Sequence, residues 1–375
     1  MGEQSISSLP ETTQTPQTQS KEQLIDFLSI ENFVKRFFVV EDFSIQFGVP
    51  TFIVSYKPDL KESFISLYNS IKGSGYMPTL RRHEGKIVLR IFKVDEERHG
   101  RSGIITAILL FFATLAAIIY SGYLQVNSVS FDIVDPYRNI ILNLVLYTGC
   151  LLSIAVLHEF GHKIASKFHG VETSLPYFIP GPPEIGGTMG AIIVQRSPMV
   201  NRDQLFDVGL SGPLLGFSAA ILVSILGVRL SYVIPKQIVY GMYIPVPMIF
   251  DFIVQFVKPF NPVYYDLLLH PVAFAGWIGF LITFINLMPI SQLDGGHISR
   301  AMFGGKYYRV ISYIGIAVLM FSGYLLMAIL ALFMQIYRDH PGPLDDVSSL
   351  SFKRKIIGSI LLPALLLLCF TSFYY

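Results

Sequence analysis

The chain has 375 residues, of which 52% are hydrophobic and only 14% charged, with a mean hydropathy of +0.53. A soluble domain carries nearer a quarter charged residues, so much of this chain must face lipid, and a net charge of +2 spread along it leaves no electrostatic footprint for nucleic acid. Its two cysteines, Cys150 and Cys369, each lie in an apolar segment and exclude a disulfide framework.

In chain order, residues 1–20 are a polar Gln/Thr/Ser/Pro tract that reads as a disordered tail and not as a secretory signal. Residues 21–100 read as a small soluble α+β domain. Within it, 37–45 and 51–56 are rich in Val, Ile and Phe around Gly48-Val49-Pro50, which suggests a hairpin. Helical spacing runs over 60–71 and stops before Gly73, and 86–93 alternates like a strand. No catalytic constellation lies there. A polytopic membrane domain is expected from 104 to 375. Charge-free windows long enough to cross a bilayer, roughly 17–25 residues, mark six spans at 104–126, 139–157, 208–228, 272–292, 310–337 and 356–375. The apolar stretch 238–250 is short, carries Pro245 and Pro247 and ends at Asp251. Residues 238–257 therefore read as re-entrant or interfacial, with a seventh span as the alternative. The expected fold class is α-helical membrane protein, about six transmembrane helices preceded by a small soluble α+β domain.

Lys and Arg beside the spans set the orientation. Lys93, Arg98 and Arg101 place the N-terminal domain in the cytosol; Lys163, Lys167, Arg196 and Arg202 fall in a second inner loop, and Arg300, Lys306 and Arg309 in a third. One loop disagrees, because six spans put Arg338, Lys353, Arg354 and Lys355 outside. The expected location is a multi-pass protein of the cell membrane, in contact with lipid.

The chemistry begins at His158-Glu159-Phe160-Gly161-His162, directly after the charge-free run 139–157. Helix positions i and i+4 share a face. His158 and His162 can therefore both reach one metal ion, with Glu159 as base for its bound water. Two buried histidines and a snorkelling Glu are the bland alternative, at a cost on the order of 2–3 kcal/mol for each ionisable group left unpartnered in hydrocarbon. A zinc site of this kind needs a third protein ligand. Asp294 is a candidate, ending the otherwise charge-free fourth span after Pro289 and before Gly295-Gly296. The second and fourth spans run the same way, so His158 and Asp294 share a membrane face. Asp294 as a plain loop carboxylate stays open, and His297 is a weaker ligand candidate. Gly212-Pro213, Gly216 and Ala219-Ala220 read as helix packing before chemistry, and Glu172 and Glu184 as solvated loop acids. Residues 188–194, glycine-interrupted and then β-branched, suit either an edge strand or an ordinary hairpin in a cytosolic-side loop. An edge strand could receive an unwound peptide by strand addition.

His-Glu-Phe-Gly-His on one span, with Asn286-Leu287-Met288-Pro289 and Leu293-Asp294-Gly295 on a later one, resembles the site-2 protease family of intramembrane zinc proteases over roughly residues 137–305. The resemblance implies one Zn2+ per chain held by His158, His162 and Asp294, with Glu159 as general base. It also implies Asn286 beside the substrate backbone or the developing oxyanion. The segments 186–194 and 206–213 are similar to the archaeal and plastid-type branch, which makes Gly187, Thr188, Met189 and Gly190 candidate substrate contacts. The implied activity is hydrolysis of peptide bonds in or near transmembrane segments of membrane-protein substrates, as in regulated intramembrane proteolysis. No PDZ-like insertion separates the third and fourth spans. Three other readings compete. A divalent-metal transporter would place polar groups along a midplane pathway between repeated halves. A zincin of another lineage would draw its third ligand from a soluble region, and a silent relative would lack part of the set that is complete here.

Overall fold

The computed structural model describes residues 29–94, 102–238, 244–337 and 340–372. The tail at 1–20, Arg98, Arg101, Arg338 and part of the 238–257 stretch lie outside the described residues. The chain divides into two compact units, Met1–Glu97 and Arg98–Tyr375.

In the first unit the expected hairpin forms from β1 (Val40–Gln46) and β2 (Val49–Val54). Phe47 and Gly48 turn it with φ of 52° and 77°, the paired positive angles that match strand twist in a two-residue loop. α1 (Leu60–Ile71) follows, then β3 (Tyr76–His83) and β4 (Lys86–Lys93). All pairings are antiparallel, in the order β1-β2-β4-β3. β3 was not legible in advance: Pro78 interrupts it and Arg81-Arg82-His83 ends it. Register puts Phe52, Leu89 and Leu80 in one row. All three are fully buried, as are Phe64 and Leu67 of α1. Each such side chain contributes roughly 1.5–3 kcal/mol by leaving water.

The second unit opens with α2 (Ser102–Val126), a short α3 (Val129–Val134) and α4 (Ile140–Phe168). β5 (Tyr177–Pro180) and β6 (Thr188–Ile192) pair antiparallel before α5 (Arg202–Leu230). Next come β7 (Tyr232–Pro235), β8 (Val246–Pro247), α6 (Met248–Val257) and β9 (Tyr265–Leu268). α7 (Pro271–Leu287), α8 (Asp294–Phe321), α9 (Leu325–Tyr337), α10 (Phe352–Cys369) and β10 (Thr371–Ser372) complete it. Among the described residues three helices are long and apolar enough to cross a membrane: Gly103–Val126, Ile140–Phe168 and Arg202–Leu230. The six expected spans are not six such helices. Residues 248–257 form only a ten-residue helix, about 15 Å long and too short to cross.

The window 310–337 is not one span. Ser322 and Gly323 (φ 85°) end α8, and α9 returns alongside it. Gln335 near the end of α9 accepts from Ser291 N–H at 3.0 Å, while Tyr308 near the start of that stretch donates to the Ser291 carbonyl at 3.0 Å. The return carries residues 340–355 to the same end of the unit as Arg202. Leu344 and Asp345 donate their N–H groups to Met199 and Val200, Arg202 and Arg300 both pair with Asp346, and Arg354 pairs with Asp207. The basic loop that broke the orientation rule therefore joins the other basic loops. The hydrophobic window hid the turn because a glycine and two hydroxyls interrupt hydropathy very little.

The β5–β6 hairpin, expected in a cytosolic-side loop, packs along α2. A Cβ on Gly103 would meet the Tyr177 hydroxyl, a Cβ on Gly187 would overlap the Ala117 carbonyl, and Ser121 Oγ donates to the Pro183 carbonyl at 2.7 Å. Gly103 to Ser121 is 18 residues, about 27 Å of helix. Paired strands satisfy their own backbone, so they can lie beside an apolar helix.

Candidate metal centre

α4 runs eleven residues beyond Leu157, so the His-Glu-Phe-Gly-His motif lies inside a continuous helix and not at its end. Asn139 caps that helix by accepting from Leu142 N–H at 2.9 Å. His158 and Glu159 are 5% and 6% exposed, too buried to be solvated surface groups. Asp294 does not end the fourth span either. α7 stops at Leu287, Pro289 blocks further helix, and Ser291 takes a φ of 44°. Asp294 then opens α8. Gly295 and Gly296 let that first turn press on the carbonyls of Leu287 and Ser291, where a Cβ would overlap them.

The three groups converge all the same. His158 Nε2 lies 3.1 Å from Asp294 Oδ2, His162 Nε2 3.2 Å from Asp294 Oδ1, and the two Nε2 atoms 3.2 Å from each other. Their ligand atoms all fall within 4.8 Å, the one His/Cys/Asp/Glu group of three or more found among the described residues. His162 Nδ1–H donates to the Val208 carbonyl at 2.7 Å. That bond places the ring's proton on Nδ1 and leaves Nε2 with a bare lone pair, the state a metal needs. The donor set suits a divalent ion with an open fourth position. Asn286 Nδ2 stands 3.5 Å from His158 Nε2, so the amide borders the same space.

α5 supplies what the motif alone does not. A Cβ on Gly212 would overlap the His162 ring, one on Gly216 would meet His158 Nδ1 at 2.9 Å, and one on Gly161 would overlap the Ser211 carbonyl. These glycines do pack helices, as expected, and the same close approach makes room for the imidazoles. Spacing could not say which helix they would press on. Gly187, Thr188 and Gly190 are buried in the β5–β6 hairpin and Met189 is exposed, so these four candidates line the strand and not the His/Asp cluster. Glu172 and Glu184 are exposed.

A family profile described as peptidase family M50 matches residues 146–330, a stretch that contains all three candidate ligands and Glu159. The chain belongs to peptidase family M50. Relatives within reach are a probable chloroplastic zinc metalloprotease, EGY2, of Oryza sativa subsp. indica, and a probable chloroplastic zinc metallopeptidase, EGY3, of Arabidopsis thaliana. The first is 32% identical over 182 residues, covering 46% of this chain and 32% of the relative. The second is 28% identical over 231 residues, covering 56% and 38%. The M50 chain thus spans about a third of the length of these curated relatives. No solved structure matches it.

Proposed function

We propose that this M50 chain is an intramembrane zinc metallopeptidase that hydrolyses peptide bonds in or near transmembrane segments of other membrane proteins. The observation that carries the reading is the convergence of two imidazoles and one carboxylate inside a 29-residue apolar helix and its neighbours. One Zn2+ per chain would be held by His158, His162 and Asp294. Bound there, the ion would supply Lewis acidity and bring a water within reach of ionisation near neutral pH.

The protein's own groups do the rest. Glu159, buried beside both histidines, takes a proton from the water as its oxygen attacks the scissile carbonyl carbon. The C–N bond then breaks and that proton passes to the departing amine nitrogen. Asn286 can donate to a substrate carbonyl or accept from a substrate N–H where no water substitutes. A peptide unwound for cleavage must have its backbone satisfied. The outer edge of β6 has no strand partner among the described residues, and it offers one by strand addition, with Gly187, Thr188, Met189 and Gly190 along it.

Depth and orientation fit the same reading. His158 is 18 residues into α4, about 27 Å along a helix crossing a core about 30 Å thick. Lys163 and Lys167 follow it, and Arg202, Arg300 and Arg354 gather at that end. The positive-inside rule makes this end cytosolic, with the N-terminal unit on the same side of a multi-pass protein of the cell membrane. The test compares wild type, Glu159→Gln and Asp294→Ala, reading zinc content and peptide cleavage on a panel of single-span substrates. Glu159→Gln should keep the zinc and lose about 10²–10⁴-fold in rate, while Asp294→Ala should lose the zinc. Near wild-type turnover in Glu159→Gln would remove Glu159 as the base, and retained zinc in Asp294→Ala would remove Asp294 from the site.

A further inference from the structure

A second pair of imidazoles, His297 and His340, begins one helical turn beyond Asp294. His297 is one helical turn beyond Asp294 on α8 and shares its face. α5 presses on both, since a Cβ on Gly209 would stand 2.9 Å from His297 Cβ and 3.1 Å from the Asp294 carbonyl oxygen. His297 Nδ1 lies 2.7 Å from His340 Nε2, with the rings edge to face at 4.7 Å. His340 comes from the segment between α9 and α10, is 6% exposed, and packs against the Tyr308 ring. Its Nδ1 accepts from the Gly342 N–H at 2.9 Å. Gly342 is held at φ 71° with the Arg300 guanidinium where a Cβ would be, so that amide has little freedom to turn away.

The bonds to Gly342 and His297 fit one arrangement of protons. A backbone N–H can only donate, so His340 Nδ1 is bare and the ring's proton sits on Nε2. Burial pushes the His340 imidazole down to about 2, in keeping with a neutral ring. His340 Nε2–H then donates to His297 Nδ1, and the proton of His297 must sit on Nε2. His162 has the opposite assignment, because the Val208 carbonyl draws its proton to Nδ1. Two backbone groups, one acceptor and one donor, thus set two imidazoles packed against α5 to opposite roles. His162 presents a lone pair and His297 presents an N–H. For His297 to bind metal through Nε2, its proton would have to move to Nδ1 and oppose the His340 N–H at 2.7 Å.

We propose that His297 donates its Nε2–H to the scissile carbonyl oxygen as negative charge develops there, and that His340 is the positioning residue that keeps that proton on Nε2. The proposal rests on the metallopeptidase reading. Among the described residues nothing else bonds His297 Nε2, and the half-buried ring stands one helical turn from Asp294 against the same glycine of α5. A neutral donor fixed in place before the reaction needs no reorganisation when charge appears.

The experiment has two arms on the full-length, zinc-loaded protein. In the first, ¹⁵N spectra of histidine-labelled protein in lipid locate the ring protons, with His297 and His162 assigned by substitution. His297 should be protonated at Nε2 and His162 at Nδ1, whether or not a substrate is cut. In the second, His297→Leu should keep its zinc and its KM while kcat falls about 10²–10³-fold, the usual effect of removing one oxyanion donor. His297→Gln, whose amide N–H reaches a similar point, should stay within about tenfold of wild type. His340→Phe should lower kcat and His340→Gln, which can still donate, should restore it. Zinc loss in His297→Leu would make it a ligand. Equal defects in the Leu and Gln variants, full activity in His297→Leu, or a proton on His297 Nδ1 would each overturn the proposal. A zinc-loaded wild type that cuts nothing would sink the peptidase reading and the carbonyl as acceptor, while leaving the proton assignment to be judged by the spectra alone.

Discussion

The two units bury different things. Among the described residues of 29–94 the buried set is apolar apart from Thr51 and Ser63, and the charged groups stay at the surface. In the helical unit His158, Glu159, His270, Arg300, His340 and Asp345 are all buried. Ionisable groups are costly in such a place unless partnered. Arg300 makes a bidentate pair with Asp346 at 2.9 and 2.7 Å, and His270 Nε2 meets Asn143 Oδ1 at 3.1 Å. A sheet with a helix packed on it needs no ionisable group inside. Buried polar groups in the second unit therefore mark where the chain accepts cost in return for chemistry or for fixing the loops around it.

That contrast can be broken by substitution. Phe52→Ala empties the middle of the N-terminal core and should cost about 3–5 kcal/mol. Hydrogen exchange over residues 40–93 should register it while zinc content stays the same. Loss of zinc would mean that the units are coupled. Gly212→Ala should cost about 1–3 kcal/mol through overpacking and abolish zinc binding, since the new methyl occupies the place of the His162 ring. Gly149→Ala is its control: α4 leaves open space there, so the substitution should be neutral or stabilise by up to about 1 kcal/mol through helix propensity. If metal analysis finds zinc intact in Gly212→Ala, the glycines of α5 do not shape the site. The smallest effect belongs to Lys35→Ala in the first unit. It removes an i,i+4 pair with Glu31 in which the lysine is half exposed, and denaturation should shift by less than about 0.5 kcal/mol.

Much of this was readable from the chain. The i,i+4 histidines, the acid between them and the uncharged run before them point to a metal inside a membrane helix. The Pro-bearing segment before Asp294 makes that carboxylate a candidate for the third ligand. The Gly48 turn, the 60–71 helix and the 86–93 strand follow from local spacing and turn chemistry. These features depend on neighbours within a few residues, and such order is written in periodicity.

Tertiary structure decided what spacing could not reach. That Asp294 begins a helix instead of ending one depends on Ser291 being anchored to Tyr308 and Gln335. That 310–337 folds back on itself depends on the return of α9, and hydropathy reads the same for one long helix or two short ones. The proton positions lie furthest from sequence. His162 is set by a carbonyl 46 residues away and His297 by a histidine 43 residues away. A histidine in a sequence can take either tautomer, and only the group brought beside it by the fold chooses between them.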